Sequence, residues 1–219
     1  MNTYRIWDED YDINEYEKHL LERADIPKYQ WIEDALVPDK CDAQSYERLH
    51  RIRMELKEFI KCDKNNLLIC GNNLGCGKTS WAFKLMLTYI EKNWGRIYAE
   101  EFEITDKQFD IALFISVPQF IVDIKLFGNN ELAKQQYFRA KKTELLILDD
   151  IAALEMSKYD YNVIYSILEA RNLHHLPTII TTNCVGTDEM SKILGPRLTD
   201  RIFKFATIVE LQGNSKRGL

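Results

Sequence analysis

A glycine-studded turn between two apolar segments carries the residues best suited to chemistry in this sequence. Turns of this kind direct backbone N–H groups inward, and the start of a following helix adds positive potential, so together they bind phosphate. A lysine and a hydroxyl directly after the turn supply a cation for the outer phosphates and a ligand for Mg²⁺. We therefore predict a site for ATP or ADP formed by Asn72, Asn73, Leu74, Gly75, Cys76, Gly77, Lys78, Thr79 and Ser80.

This turn departs at one position from the spacing G-x-x-x-x-G-K-T. Asn72 stands where the first glycine is expected, and Gly71 comes one residue early. Asparagine tolerates a left-handed backbone better than most other residues, so the turn is still expected to close. The alternative is a glycine turn followed by an incidental surface lysine.

Two acidic residues end a second apolar strand. The run LLILDD places Asp149 and Asp150 at its carboxyl end, where uncompensated carboxylates would be costly. Mg²⁺ supplies the compensation. We assign Asp149 to the metal, mostly through water, and Asp150 to orienting or activating the attacking water. A solvated acidic turn is the alternative.

A third strand, PTIITTN, ends in a neutral polar residue. Asn183 is predicted to reach the terminal phosphate or the same water. Because asparagine also caps strands and turns, this assignment depends on the position of its strand after the acidic one.

Two arginines are predicted to share one face of a helix. The segment GPRLTDRIF begins this helix at Pro196 and places Arg197 and Arg201 four residues apart. Two guanidinium groups in this arrangement either face solvent, pair locally with Asp200, or reach the phosphates of a neighbouring subunit's nucleotide.

Apolar strands alternate with helical segments along most of the chain, which indicates an α/β fold with a parallel sheet covered on both faces. The predicted strands are 67–70, 111–117, 144–150, 177–183 and 206–211. The predicted helices are 45–60, 80–93, 118–127, 131–142, 159–173 and a helix near 196–203, and a hairpin is predicted within 96–110.

We predict three regions along the chain. Residues 1–45 form an acidic, aromatic arm with a short amphipathic helix before Pro27, and this arm either packs on its own domain or docks a protein partner. Residues 46–212 form the core, and 213–219 form a C-terminal tail. We predict no helical lid after the last strand.

Composition limits the class of protein. Hydrophobic residues make up 46% and charged residues 29% of the chain, as in soluble globular proteins. A net charge of −5 disfavours broad nucleic-acid binding, so any DNA contact is expected to be local. No leader or membrane-length apolar segment is evident, which predicts a cytoplasmic protein. The five cysteines show neither C-x-x-C pairs nor zinc-ligand spacing.

Taken together, these parts resemble the AAA+ ATPases and, within them, the DnaC/DnaI family of helicase loaders and its relative, the IstB transposition helper. The resemblance extends from about Ile26 to Glu210 and rests on GNNLGCGKTSWA, ISVPQFI, LLILDDIAAL, YSILEARNLHHLPTIITTN and LGPRLTDRIF. It assigns nucleotide gripping to Lys78 and Thr79, the acidic pair to Asp149 and Asp150, sensing to Asn183, and trans-acting roles to Arg197 and Arg201.

The resemblance implies a weak ATPase that binds a replicative hexameric helicase, places it on single-stranded DNA and uses ATP as a switch. Self-association through the ATP sites follows from the trans-acting arginines. The short N-terminal region departs from the larger helicase-binding domain usual in the family and suggests a phage or mobile-element member. The alternatives are an IstB-like helper of transposition and a P-loop small-molecule kinase.

A basic and aromatic helix end is the candidate DNA contact. The segment YFRAKKTE places Arg139, Lys141 and Lys142 beside Tyr137 and Phe138, a mixture that holds a phosphate backbone and stacks a base in other proteins. A charged helix end facing water is the alternative.

Overall fold

A computed structural model describes residues 4–5, 22, 24–25, 35–93, 110–126 and 131–216. The first elements in these ranges are two short antiparallel strands, β1 (Tyr4–Arg5) and β2 (Ala35–Leu36). The helix predicted before Pro27 and the hairpin predicted within 96–110 lie almost entirely outside the described residues.

Five strands form the central sheet in the order β4-β5-β6-β3-β7, with every neighbouring pair parallel. They are β3 (Asn66–Cys70), β4 (Ala112–Ser116), β5 (Leu145–Asp149), β6 (Thr178–Thr182) and β7 (Ala206–Glu210). β3 and β6 are buried at every residue, as expected for parallel strands covered on both faces. The predicted α/β fold is confirmed.

Helices connect the strands and cover both faces of the sheet. Those in the described ranges are α1 (Ala43–Met54), α2 (Leu56–Phe59), α3 (Lys78–Lys92), α4 (Val117–Leu126), α5 (Glu131–Lys142), α6 (Lys158–Leu173), α7 (Thr187–Leu194) and α8 (Pro196–Phe205). None of the helices described here has the length and apolarity needed to cross a bilayer.

Alternate residues of β3 enter two separate hydrophobic cores. Leu67 and Ile69 pack with the side chains of α1 and α3, whereas Leu68 packs with those of α4, α6, α7 and α8. This alternation follows from the two-residue period of a strand. The strand that leads into the glycine turn is therefore held from both sides.

Two differences from the predicted elements have local causes. The predicted helix 45–60 is divided at Glu55, whose backbone leaves helical geometry at φ −101° and ψ 29°. Helix α7 was not predicted. It begins after Gly186, where φ is 82°, and Asp188 and Glu189 occupy its first turn, a favourable place for acidic residues.

The described part of the N-terminal arm contacts the core. Leu36 is buried in the same core as α3, and the backbone N–H of Phe114 donates to the carbonyl of Ala24 at 2.7 Å. Residue 45 lies inside α1. The division between arm and core at residue 45 stays a prediction, but these residues support the interpretation that the arm packs on its own domain.

Candidate nucleotide-binding site

The strand order gathers the predicted site residues at one edge of the sheet. β6 lies between β5 and β3, so the carboxyl ends of these three strands are neighbours. Lys78 follows β3, Asp149 ends β5, and Asn183 follows β6. Residues far apart in the sequence thus meet at the position where parallel α/β sheets commonly bind ligands.

The glycine turn, residues 71–77, joins β3 to α3 and closes through its glycines. Gly71, Gly75 and Gly77 have φ values of 159°, 74° and 101°. A Cβ atom at Gly71 would overlap the carbonyl oxygen of Leu211, and one at Gly77 would lie 2.8 Å from the hydroxyl of Tyr46. These two positions therefore require glycine for space as well as for backbone conformation.

The expected left-handed backbone at Asn72 is not present. Among the described residues other than glycine, only Asp25, Asp150 and His175 have positive φ. Glycine is needed one residue earlier, at Gly71, because the chain after β7 passes so close that a side chain there would overlap the backbone of Leu211. The early glycine, which the motif spacing treats as misplaced, is thus the one that the fold uses.

Lys78 is the first residue of α3, directly after the turn, and is 8% exposed. Its Nζ donates to the carbonyl oxygens of Gly71 and Asn73, each at 2.9 Å. Cys76 is fully buried, and its carbonyl accepts a hydrogen bond from the hydroxyl of Tyr46 at 3.0 Å. The ammonium group is therefore held inside the loop that is predicted to surround phosphate.

The remaining residues of the predicted loop differ in exposure. The side chains of Asn72, Asn73 and Leu74 are exposed, and Leu74 is 66% exposed. Thr79 and Ser80, in the first turn of α3, are half-buried. Of this group, Thr79 donates a hydrogen bond to the acidic strand.

Asp149 accepts two hydrogen bonds on the same oxygen, Oδ1. Thr79 donates one at 2.8 Å, and Thr181 donates the other at 2.7 Å. Burial raises the pKa of Asp149 above its ordinary value, against the opposing effect of the Thr181 and Thr79 hydroxyls. The structure thus places the two predicted metal ligands, Thr79 and Asp149, in direct contact.

Asp150 occupies a left-handed backbone conformation, with φ at 61°. Its carboxylate accepts a hydrogen bond from Nδ2 of Asn183 at 3.0 Å. A non-glycine residue at positive φ is uncommon and often marks a functional position. Asn183 is therefore close to the group predicted to act on water, and its contact with the terminal phosphate or with that water stays a prediction.

Thr181 is a site residue that the sequence reasoning missed. It is 1% exposed, donates to Asp149, and accepts a hydrogen bond from the backbone N–H of Asp150 at 2.9 Å. The available signal was a hydroxyl in a buried strand two residues before Asn183. Because side chains alternate along a strand, those two residues project to the same side.

The two predicted trans-acting arginines differ in their surroundings. Arg201 pairs with Glu169 of α6, with Nε 3.2 Å from Oε2, rather than with Asp200. The hydroxyl of Tyr165 and the charge of Glu169 raise the pKa of Arg201. Arg197 is exposed and forms no ion pair within the described ranges. Contact with a neighbouring subunit stays a prediction for both.

The candidate DNA contact on α5 is largely occupied by internal contacts. Arg139 pairs with Asp110 at 3.0 Å and with Asp25 at 2.9 Å. Nζ of Lys141 donates to the hydroxyl of Ser166 at 3.0 Å and also lies over the ring of Tyr137. Exposed positions of this segment are Phe138, at 60% exposure, and Lys142. The alternative, a charged helix end, accounts for most of these residues.

No protein-family model matches the sequence. The replicative helicase loader DnaI of Bacillus subtilis (strain 168) is 25% identical over 174 residues, which cover 74% of this chain and 51% of DnaI. The replicative helicase loader DnaC of Escherichia coli (strain K12) is 32% identical over 93 residues, covering 42% and 38% of the two chains. The matches thus span about half or less of these relatives.

Solved structures share the fold. A crystal structure of the DnaC helicase loader superimposes with a TM-score of 0.63 and 19% identity, covering 80% of this chain and 93% of that chain. A DnaI crystal structure gives 0.58 and 21%, covering 78% and 84%. The replication initiator DnaA bound to AMPPCP and single-stranded DNA gives 0.59 and 16%, covering 80% and 48%. The predicted AAA+ fold and the resemblance to DnaC and DnaI are confirmed.

Proposed function

We propose that this chain is an ATP-dependent loader that places a replicative hexameric helicase on single-stranded DNA during replication, with ATP acting as a switch. One observation carries the proposal. Lys78 bonds to the glycine loop, and the next residue, Thr79, donates a hydrogen bond to Asp149 of the acidic pair. This arrangement occurs in a chain whose fold and sequence are similar to those of DnaC and DnaI.

The ligand of this site is ATP or ADP. The glycine turn leads into the N-terminus of α3, and Nζ of Lys78 reaches back over the turn, 2.9 Å from two loop carbonyl oxygens. Phosphate oxygens are stronger acceptors for an ammonium group than neutral carbonyls, so bound phosphates would redirect Lys78. The similar fold of DnaA, solved with AMPPCP, supports a nucleoside triphosphate as the ligand.

The donor set beside the loop fits Mg²⁺. The hydroxyl of Thr79 and the carboxylate of Asp149 are hard oxygen ligands in direct contact, at 2.8 Å. A bound Mg²⁺ would neutralise charge on the phosphates as the terminal bond breaks. Thr181 holds Asp149 independently of Thr79, so the carboxylate stays oriented when Thr79 turns towards the ion.

Asp150 orients the attacking water, and Asn183 fixes the position of Asp150. The hydrogen bond from the Asn183 amide leaves the second carboxylate oxygen of Asp150 available to accept a proton from water. Aspartate is one methylene shorter than the glutamate of most AAA+ enzymes, so its reach towards the terminal phosphate is reduced. We therefore propose a weak ATPase, in keeping with the use of ATP as a switch.

Assembly completes the site. Arg201, with Arg197 one turn earlier, supplies a cation to the nucleotide of a neighbouring subunit, and Arg201 exchanges its pairing with Glu169 for phosphate.

Contact with single-stranded DNA is local and weak, with Lys142 and Phe138 as its exposed groups. The helicase docks on the arm within residues 1–45. The protein acts in the cytoplasm.

A loading assay tests this proposal. Closed circular single-stranded DNA admits a ring helicase only if the ring opens, so strand displacement on such a template reports loading. We expect the chain with ATP to stimulate the replicative helicase encoded in the same genome, and Lys78→Ala to remove both ATP binding and stimulation. A protein that binds ATP but neither binds nor stimulates that helicase would contradict the loader function.

A further inference from the structure

We infer that the segment after β7 is part of the nucleotide site and that Asn73 is the positioning residue that connects them. We call residues 211–216 the C-terminal brace. The inference rests on the proposed binding of ATP to the glycine loop. Most of this segment belongs to the region 213–219, which the sequence predicts to be a tail outside the core.

The brace is hydrogen-bonded to the loop at several points. Nδ2 of Asn73 donates to the carbonyl oxygens of Gln212 and Gly213, at 3.0 and 2.9 Å. The backbone N–H of Lys216 donates to the carbonyl of Gly75 at 2.7 Å. Two loop residues with different positions in the turn are thereby tied to the same short segment.

An acidic pair before α1 holds the brace from the other side. Asp42, which is fully buried, accepts from the backbone N–H of Gln212 at 2.6 Å. Asp39 accepts from the backbone N–H of Asn214 at 2.6 Å and pairs with Nζ of Lys216 at 2.6 Å. The hydrogen bonds from Lys216 and Asn214 lower the pKa of Asp39, so its carboxylate is charged at neutral pH.

Close packing makes this junction specific for its residues. A Cβ atom at Gly213 would overlap Oδ2 of Asp42 and lie 2.8 Å from Oδ2 of Asp39. Any larger residue at 213 must therefore displace the acidic pair or the brace. The brace is a fitted part of the structure, rather than a segment resting on the surface.

Asn73 links the brace to the phosphate-binding cation. Its side chain donates to the brace, and its backbone carbonyl accepts from Nζ of Lys78 at 2.9 Å. Loss of the amide would leave the backbone of Asn73 free to adopt other positions and would change the surroundings of Lys78. A loop that spends less time in its binding conformation binds ligand more weakly in proportion.

The experiment compares Asn73→Ala with wild type in two measurements. Titration with a fluorescent ATP analogue should show about tenfold weaker binding, with a raised KM for ATP and a kcat within about twofold. Hydrogen exchange of the nucleotide-free protein should be faster across 71–77. The melting temperature should change little, because the Asn73 side chain is exposed.

Matched variants test whether the loss of ATP affinity comes from the brace or from unspecific effects of mutation and truncation. Deletion of 213–219 should reproduce the loss of affinity, whereas deletion of 217–219 retains every bond described above and should not. Asn162→Ala, at an exposed asparagine of α6, controls for the substitution itself. Gly213→Ala disturbs the same junction from the brace side and should act in the same direction as Asn73→Ala.

The outcomes distinguish the inference from the proposed function. If wild type does not bind the ATP analogue, the proposed function fails, while faster exchange of the loop in Asn73→Ala still supports the brace. If wild type binds the analogue and Asn73→Ala, Gly213→Ala and the 213–219 deletion bind it equally well, the brace is overturned. Unchanged loop exchange in all three variants would also overturn it.

Discussion

Thr181 joins the two acidic residues of the site through one hydroxyl group. Its Oγ1 donates to Asp149 at 2.7 Å and accepts from the backbone N–H of Asp150 at 2.9 Å. A single side chain on β6 therefore fixes both the proposed metal ligand and the backbone of the residue proposed to orient water. This relationship makes Thr181 the natural first target for mutation.

Thr181→Val should slow ATP hydrolysis by roughly 10- to 100-fold and change ATP affinity much less. Valine keeps the shape of threonine but removes both hydrogen bonds, at a cost of about 1–3 kcal/mol in stability. Steady-state ATPase kinetics and nucleotide titration measure the two effects separately. Thr207→Val, at a half-buried position of β7, is the matched control. Equal losses in both variants would show that Thr181 acts only through stability.

Asp150→Asn should retain ATP and hydrolyse it at least about tenfold more slowly. Asparagine tolerates the left-handed backbone that Asp150 adopts, so the turn is preserved while the carboxylate is lost. The metal ligand Asp149 is unchanged. Single-turnover hydrolysis and nucleotide titration test this division of roles, and loss of binding together with hydrolysis would show that the roles are wrongly divided.

Arg201→Ala should bind ATP nearly normally but lose hydrolysis or assembly, because its cation is proposed to act on the neighbouring subunit. Arg197→Ala should behave similarly or more mildly. Mixing Arg201→Ala with Lys78→Ala should restore part of the ATPase activity, since the second protein supplies an intact Arg201 to nucleotide held by the first. The ATPase assay includes helicase and single-stranded DNA, which support assembly.

One result would argue against this trans action, and a second variant tests whether release of Arg201 limits the rate. Mixed assemblies that form, as shown by co-purification of differently tagged variants, but stay inactive would remove Arg201 from the neighbouring site. A rate for Glu169→Gln equal to wild type would separately show that release of Arg201 from Glu169 does not limit hydrolysis. The ion pair that must break for this release joins Nε of Arg201 to Oε2 of Glu169, at 3.2 Å.

Removal of residues 1–21 should preserve ATP binding but weaken capture of the helicase by about tenfold or more, given the acidic and aromatic composition of this region. This boundary keeps Ala24 and Asp25, which contact Phe114 and Arg139. Binding of the purified helicase, measured by surface plasmon resonance with and without ATP, checks the expectation. Full retention of helicase affinity would place docking elsewhere on the chain.

Most of the site follows from local patterns in the sequence. The glycine turn before Lys78, the carboxylates ending an apolar strand and the polar end of PTIITTN each identify a strand terminus. Parallel strands then bring these termini together, so residues with no short-range relationship become neighbours. That inference needed only the alternation of strands and helices.

The features that the sequence did not reveal depend on contacts between distant residues. Gly71 is needed because Leu211 passes against it, and Asn73 bonds to a segment about 140 residues later. No short sequence motif predicts either contact. Thr181 was missed because threonine is also a common strand residue. Arg201 forms its ion pair with Glu169, on another helix, rather than with its sequence neighbour Asp200.

The position of β3 has a consequence for how the protein is made. β3 pairs with β6 and β7, whose partner residues follow it by about 110 to 140 positions. During translation, one edge of the strand that carries the phosphate loop therefore stays unpaired until β6 has been made, and the other until β7 has been made. Because β3 gains its second neighbour only when β7 is present, nucleotide binding is expected to stabilise the completed sheet rather than a partly formed one.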